Sequence, residues 1–246
     1  MYKIAFILKG YYILDENTKG IRYSNKFVKY YNFIEQVLYF FYIDVYLSFK
    51  SCNYDVDYYF ITYSSIYDKV LYDKIIELIP NIKLKFLELD NNSTSINLLY
   101  EGIKYVNNIK KYDRYIIVRN DMIYKLPIHK WLPIYNGLQF FYYLFDELTL
   151  NSGRISDCLH IIDNNIDKYI ELLEECINNY KNVSENENVM NEQYNTLHGI
   201  LPLVKKYFEN YDKIIKYRGF DTNTAYPWGT SNNPIYKLAG RDYHFK

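Results

Sequence analysis

The stretch Tyr112-Asp113-Arg114-Tyr115-Ile116-Ile117-Val118-Arg119-Asn120-Asp121-Met122 decides the fold. Its apolar centre, Tyr115 to Val118, stops abruptly at Arg-Asn-Asp. A short apolar run rich in β-branched residues and bounded by polar groups reads as a strand buried on both faces. Such strands occur mainly in parallel sheets covered by helices. Ligands of open α/β sheets bind outside the carboxyl ends of the strands. Arg119, Asn120 and Asp121 are therefore expected to line a ligand site, with the guanidinium suited to a phosphate and the carboxylate to a divalent cation.

The surrounding chain supplies matching elements. Ile4 to Lys9 is predicted as a first strand ending at Gly10. Polar, turn-rich residues from Tyr11 to Asn25 follow, then a helix from about Lys26 to Ser48, capped by Ser24 or Asn25 and carrying Phe27, Tyr30, Tyr31, Ile34, Val37, Leu38 and Phe41 at helical spacing. Tyr58 to Tyr63 reads as a strand, and Asp68 to Ile79 as a helix stopped by Pro80. Ile82 to Leu89 alternates Ile82, Leu84 and Phe86 with Lys83 and Lys85, the period of a half-exposed or edge strand. A helix starting at Ser93, Thr94 or Ser95 runs to about Lys111 and leads into the opening strand. This alternation predicts an α/β fold: a three-layer α/β/α sandwich with a mostly parallel, Rossmann-like central sheet. Beyond Asp121 the pattern gives strands at Leu138 to Phe145 and Cys158 to Ile162, and a helix from Ile166 to Tyr180. A further helix spans Glu192 to Tyr207, with Pro202 marking a kink or a start. The Gly-, Pro- and Asn-rich tail from Arg218 to Lys246 reads as a long ordered loop. No linker divides residues 1–246, so a single domain is expected.

Composition removes several classes of function. A chain of 246 residues with 49% hydrophobic and 24% charged residues can bury a full core. Lys plus Arg equal Asp plus Glu at 29 each, so bulk charge gives no reason to expect a nucleic-acid partner. No apolar run approaches the roughly 20 residues that span a bilayer, and Met1 to Gly10 reads as a strand rather than a signal peptide. Cys52, Cys158 and Cys176 are odd in number and widely spaced, which favours a reducing, cytoplasmic compartment over a disulfide framework. The 32 tyrosines, with abundant Asn, Ile and Lys, follow A+T-rich codons and fit a large DNA virus or an A+T-rich microbe.

Competing nucleotide sites are absent. The first strand is not followed by Gly-x-Gly-x-x-Gly, no Walker loop occurs, and no Gly-x-Ser-x-Gly elbow or zinc-site spacing is found. What remains is a series of strand–loop–helix units ending in Arg-x-Asp. Here the chain resembles the nucleotide-sugar glycosyltransferases of the A-type (GT-A) fold. The resemblance is carried by Tyr112-Asp113-Arg114-Tyr115-Ile116-Ile117-Val118-Arg119-Asn120-Asp121-Met122-Ile123-Tyr124, similar to a segment that stands in several such families in place of Asp-x-Asp. In this chain Arg119 replaces the first acid. Ser156-Asp157-Cys158-Leu159-His160-Ile161-Ile162 is similar to a second, acceptor-facing segment.

The resemblance implies a nucleotide-binding half over 1–121 and an acceptor-binding half with a tail over 122–246. It implies a nucleoside-diphosphate-sugar donor, a glycan, lipid or protein acceptor, and Mn²⁺ or Mg²⁺ assistance. Asp121 is the candidate metal ligand, with Arg119 ordering it or touching the donor; the alternative is that the two close a turn by pairing. Lys9, Gly10 and Arg22 are placed near base and ribose, against the alternative of a simple turn with a solvated Lys9. Thr62 flanks the base. Asp157 and then Glu192 are the candidate general bases for an inverting transfer, against the alternative that Asp157 is a plain helix or turn cap. Late in the chain, His244 is a candidate metal ligand, against the alternative of a surface histidine on a frayed tail, and Lys237 or Arg241 a diphosphate contact, while Trp228 suits a sugar ring or anchors the tail. Alternatives to transfer are a sugar nucleotidyltransferase, or a non-catalytic glycan- or partner-binding protein of the same fold. His129, His160 and His198 read as ordinary surface or core residues.

Overall fold

Strand β1 (Lys3–Lys9) is buried at every residue after Lys3 because both of its edges are paired. A computed structural model of the chain describes residues 3–10, 37–64, 68–88, 94–120, 122–124, 127–130, 139–140, 159–163, 165–184, 200–208 and 236–238. On one side β1 runs parallel to β2 (Asp55–Tyr63), and on the other to β4 (Arg114–Arg119). Strand β3 (Lys83–Leu87) extends the sheet in parallel beyond β2, and all its residues are half-buried, as an edge strand requires. Beyond β4 the sheet turns antiparallel through β7 (Leu159–Ile162) and β6 (Gln139–Phe140). The six-stranded order is β3-β2-β1-β4-β7-β6. A separate antiparallel pair joins β5 (Met122–Tyr124) to β8 (Tyr236–Leu238).

Alternation along the central strands divides the interior into two layers of contact. Ile4, Phe6 and Leu8 pack with a helical segment over 37–51 (α1) and with α2 (Asp68–Leu78). Ala5 and Ile7 pack with α3 (Ser95–Ile109), α4 (Ile166–Ser184) and α5 (Leu201–Tyr207). The result is the expected three-layer α/β/α arrangement with a mostly parallel sheet. Helix α1 widens into a π-helix over Phe41–Leu47, a departure from the regular helix that periodicity alone predicts. That widening goes with Leu38, Phe41, Val45 and Phe49 all reaching the sheet; the Phe6 ring meets those of Phe41 and Phe49 at 5.6 and 6.0 Å.

Helix α3 starts where a capping residue allows. Thr94 is extended, and its Oγ1 accepts the Asn97 N–H at 3.1 Å. Close approach of α3 to β2 depends on Gly102, where a Cβ would lie 2.8 Å from Ile61 Cγ2. Pro202 sits in the first turn of α5 and so marks a start rather than a kink. In the tail, the expected loop contains strand β8, whose pairing with β5 supplies the hydrogen bonds that local sequence could not forecast. Strand β3 is shorter than the predicted Ile82 to Leu89, and α3 ends at Ile109 rather than about Lys111. Among the described residues no helix is long and apolar enough to cross a membrane.

The amino-terminal edge of the sheet carries a polar clamp. Asp57 of β2 accepts hydrogen bonds from Lys110 Nζ at 2.8 Å and from the Tyr112 hydroxyl at 2.6 Å. Tyr112 also shares a short bond with the Tyr59 hydroxyl. Its N–H donates to the Tyr115 hydroxyl, which in turn donates to Asn107 Oδ1 at 3.0 Å. Asp113 ties β4 to β1, its N–H donating to the Lys3 carbonyl and its carboxylate accepting the Lys3 N–H. The Tyr112-Asp113 part of the opening motif is thus a fastening at the edge opposite Arg119. Burial pushes the Asp57 carboxyl up, but the bonds from Lys110 and Tyr112 and the charges of Lys83 and Lys110 outweigh it and hold its pKa below the ordinary value.

Two outcomes follow for stability. A carboxyl depressed in the folded state contributes stability above its unfolded pKa and loses it as pH falls through the folded pKa. Asp57→Asn is therefore expected to lower the melting temperature at neutral pH and to flatten its decline below the ordinary carboxylate range; a parallel decline in both proteins contradicts the clamp. Gly102→Ala gains about 1 kcal/mol of helix propensity but loses about 1–3 kcal/mol to overpacking against Ile61. Urea unfolding is expected to show net destabilisation, and a stabilised variant contradicts the close contact.

Candidate functional site at the carboxyl edge of β1 and β4

Parallel register brings the ends of β1 and β4 together. Lys9 faces Arg119 as the last pair of the ladder. One step further, the Asn120 N–H donates to the Lys9 carbonyl at 2.9 Å, and the Gly10 N–H to the Ile61 carbonyl at 3.3 Å. Four of the sequence candidates, Lys9, Gly10, Arg119 and Asn120, thus share one short edge.

Gly10 adopts φ +153°, a conformation that L side chains rarely take. A Cβ there would fall 2.8 Å from Asn120 Cγ and nearer still to Oδ1. The glycine therefore makes room for the Asn120 side chain. Asn120 is 5% exposed, and its Nδ2 is buried with no hydrogen-bond partner among the described residues. Leaving such a donor unsatisfied costs about 1–3 kcal/mol.

Lys9 corrects the picture of a solvated strand-end lysine: it is 2% exposed. Its Nζ lies 3.4 Å from the Oγ of Ser95, the first residue of α3. The amino end of a helix carries partial positive charge, so ammonium and helix end together concentrate positive potential at this edge. Ser95 was legible as a helix start but not as a site neighbour. The signal was available, since a helix following a parallel strand begins at the carboxyl edge. Tyr63 ties β2 to the same corner, its hydroxyl donating to the Thr94 carbonyl at 2.8 Å. Thr62 is buried at 1% exposure, and its hydroxyl reaches the Tyr63 carbonyl at 3.4 Å. It alternates with Ile61, the register partner of Lys9, and so points to the opposite face from Lys9.

Lys237 lies in β8 opposite Ile123 of β5. Since β5 begins at Met122, the tail's backbone returns close to the end of β4. Arg22, Asp121, Asp157, Glu192, Trp228, Arg241 and His244 lie outside the described residues.

The described edge offers Lys9, Arg119, Asn120 and Ser95, cations and hydrogen-bond donors that fit phosphate oxygens. Among the described residues no three His, Cys, Asp or Glu side chains gather as a metal site. A divalent cation needs hard oxygen ligands, and the candidates for it are Asp121 and His244. Two other histidines serve packing. His160 is 1% exposed with Nδ1 2.6 Å from the Tyr169 hydroxyl, and His129 Nδ1 stands 2.6 Å from Ser48 Oγ.

No protein-family model and no curated protein matches the chain. Solved structures do. A protein of Desulfovibrio desulfuricans G20 provisionally called a nucleotide-diphospho-sugar transferase aligns over 88% of this chain and 80% of its own, with 9% identity and a TM-score of 0.50. The glycosyltransferase GlyE of Streptococcus pneumoniae TIGR4 aligns over 88% of this chain at 13% identity and a TM-score of 0.44; the chain spans 44% of its length. The galactosyltransferase LgtC, solved with donor and acceptor sugar analogues, aligns over 87% of this chain and 72% of its own at 11% identity and a TM-score of 0.45. The layer order, sheet order and this similarity agree: the fold is the Rossmann-like A-type fold of nucleotide-sugar glycosyltransferases.

Proposed function

We propose that the protein is a glycosyltransferase that moves a sugar from a nucleoside-diphosphate donor to a hydroxyl of a glycan, lipid or protein acceptor, with divalent-metal assistance. The observation that carries this reading is the meeting of Lys9, Arg119 and Asn120 at the carboxyl edge of β1 and β4, in a fold whose ligands bind at that edge.

The chemistry such a transfer needs is chiefly electrostatic. As the glycosidic bond breaks, negative charge grows on the leaving diphosphate, and fixed cations and donors aimed at that charge lower the barrier. In this reading Arg119 stands at the strand end to contact the diphosphate, and the buried Lys9 supports the same potential from beneath. A bound Mn²⁺ or Mg²⁺ supplies Lewis-acid stabilisation of the phosphate oxygens, held by Asp121 and completed by His244. Lys237 and Arg241 are assigned to the diphosphate from the tail side, and Arg22 and Thr62 to the nucleoside side. Asp157, or failing it Glu192, takes the proton from the acceptor hydroxyl in an inverting transfer.

A ligand that binds the native state alone raises the melting temperature. A thermal-shift screen of nucleotide sugars with Mn²⁺ and with chelator is expected to give a shift for one donor class that the chelator diminishes. Asp121→Asn is expected to abolish donor hydrolysis and transfer. Full turnover in that variant contradicts the metal assignment, and the absence of any nucleotide-dependent shift favours a non-catalytic binding protein.

A further inference from the structure

We infer that Asn120 is a positioning and specificity-determining residue of the donor site: its side-chain amide donates a hydrogen bond to a phosphoryl oxygen of the bound nucleoside diphosphate, and residue 10 is glycine to leave that amide its place. The inference rests on the transferase reading above and adds to it the group that each of these two residues serves.

Three observations meet here. Asn120 is 95% buried, yet its Nδ2 has no hydrogen-bond partner among the described residues. Native interiors leave few such donors unpaired, and each calls for a physical account. The backbone of Asn120 is tied to β1, its N–H donating to the Lys9 carbonyl at 2.9 Å. Gly10 yields its Cβ volume to the Asn120 side chain and adopts φ +153°. The Oδ1 side of the amide lies nearest that vacant Cβ position, with Nδ2 further off at 3.2 Å, so the donor is the end turned away from Gly10.

The neighbourhood selects the acceptor. Lys9 and Arg119 immediately precede Gly10 and Asn120 in the paired strands, and the Lys9 Nζ lies 3.4 Å from Ser95 Oγ at the amino end of α3. Positive potential of that kind favours an anionic oxygen over a neutral hydroxyl or carbonyl. A phosphoryl oxygen is the part of a nucleotide donor that carries charge.

Titration calorimetry of the full chain with UDP, GDP, dTDP, ADP and CDP, and with the matching nucleosides, tests this. The wild type is expected to bind at least one diphosphate. Asn120→Ala and the isosteric Asn120→Asp are expected to weaken that diphosphate by about 10- to 100-fold, as loss of a hydrogen bond to a charged group does, and to leave nucleoside binding unchanged. Without ligand, the melting temperature of Asn120→Ala is expected to hold or rise, because an unpaired buried donor has been removed. Gly10→Ala is expected to lose both stability and diphosphate affinity, and adding Asn120→Ala to it restores part of the stability but none of the affinity.

Unchanged diphosphate affinity in both Asn120 variants overturns the inference while leaving the transferase reading intact. An equal loss for nucleoside and diphosphate overturns the phosphoryl assignment, and a lowered melting temperature of ligand-free Asn120→Ala makes the residue structural. Failure of the wild type to bind any nucleoside diphosphate removes the transferase reading and this inference with it.

Discussion

The parallel pairing of β1 with β4 is the constraint on which the rest depends. Six residues of β1 are paired on both sides, from Ile4 between Val56 and Arg114 to Lys9 between Ile61 and Arg119. Parallel register fixes which residues end together, so a slip of one residue would turn Arg119 and Lys9 to different faces. Each end of this pairing has its own device. At the amino edge, Lys3 and Asp113 exchange hydrogen bonds and the Tyr112–Asp57–Lys110 cluster fastens β4 to β2. At the carboxyl edge, Gly10 and Asn120 share one side-chain volume. The first device sets the register, and the second uses it to build a site.

The two ends also differ in chemistry. The amino-edge carboxylate is satisfied by a lysine and a phenol and has no call on an outside ligand. The carboxyl edge gathers an ammonium, a guanidinium and an amide donor, with one helix starting beside them. The motif thus begins, at Tyr112 and Asp113, in contacts that fasten the sheet, and stops, at Arg119 and Asn120, at the candidate site.

Much of this organisation could be read from residues in order. Tyr115 to Val118 is as buried as its β-branched run implied, because both faces are covered by helices. The alternation of Lys83 and Lys85 with Leu84 and Phe86 marked an edge strand, and Thr94 capped its helix as its side chain permits. The unread parts depend on contacts distant in sequence. Strand β8 exists through its pairing with β5, more than a hundred residues earlier, so the composition of the tail pointed to a loop. The π-helical turns of α1 reflect how its aromatic residues reach the sheet, which periodicity does not encode. Within the site, Lys9 was legible as a strand end but not as a buried ammonium, since its contact with Ser95 joins residues 86 positions apart. The unpaired amide of Asn120 could be seen once Gly10 was placed against it.

The central claim is that a nucleoside diphosphate binds at the carboxyl edge of β1 and β4. Diffraction from crystals of the protein grown with the nucleoside diphosphate that gives the largest thermal shift tests it most directly. The account predicts diphosphate density over Gly10, within hydrogen-bonding distance of Arg119 and Asn120. A nucleotide seated elsewhere on the molecule, with this edge empty, would contradict it.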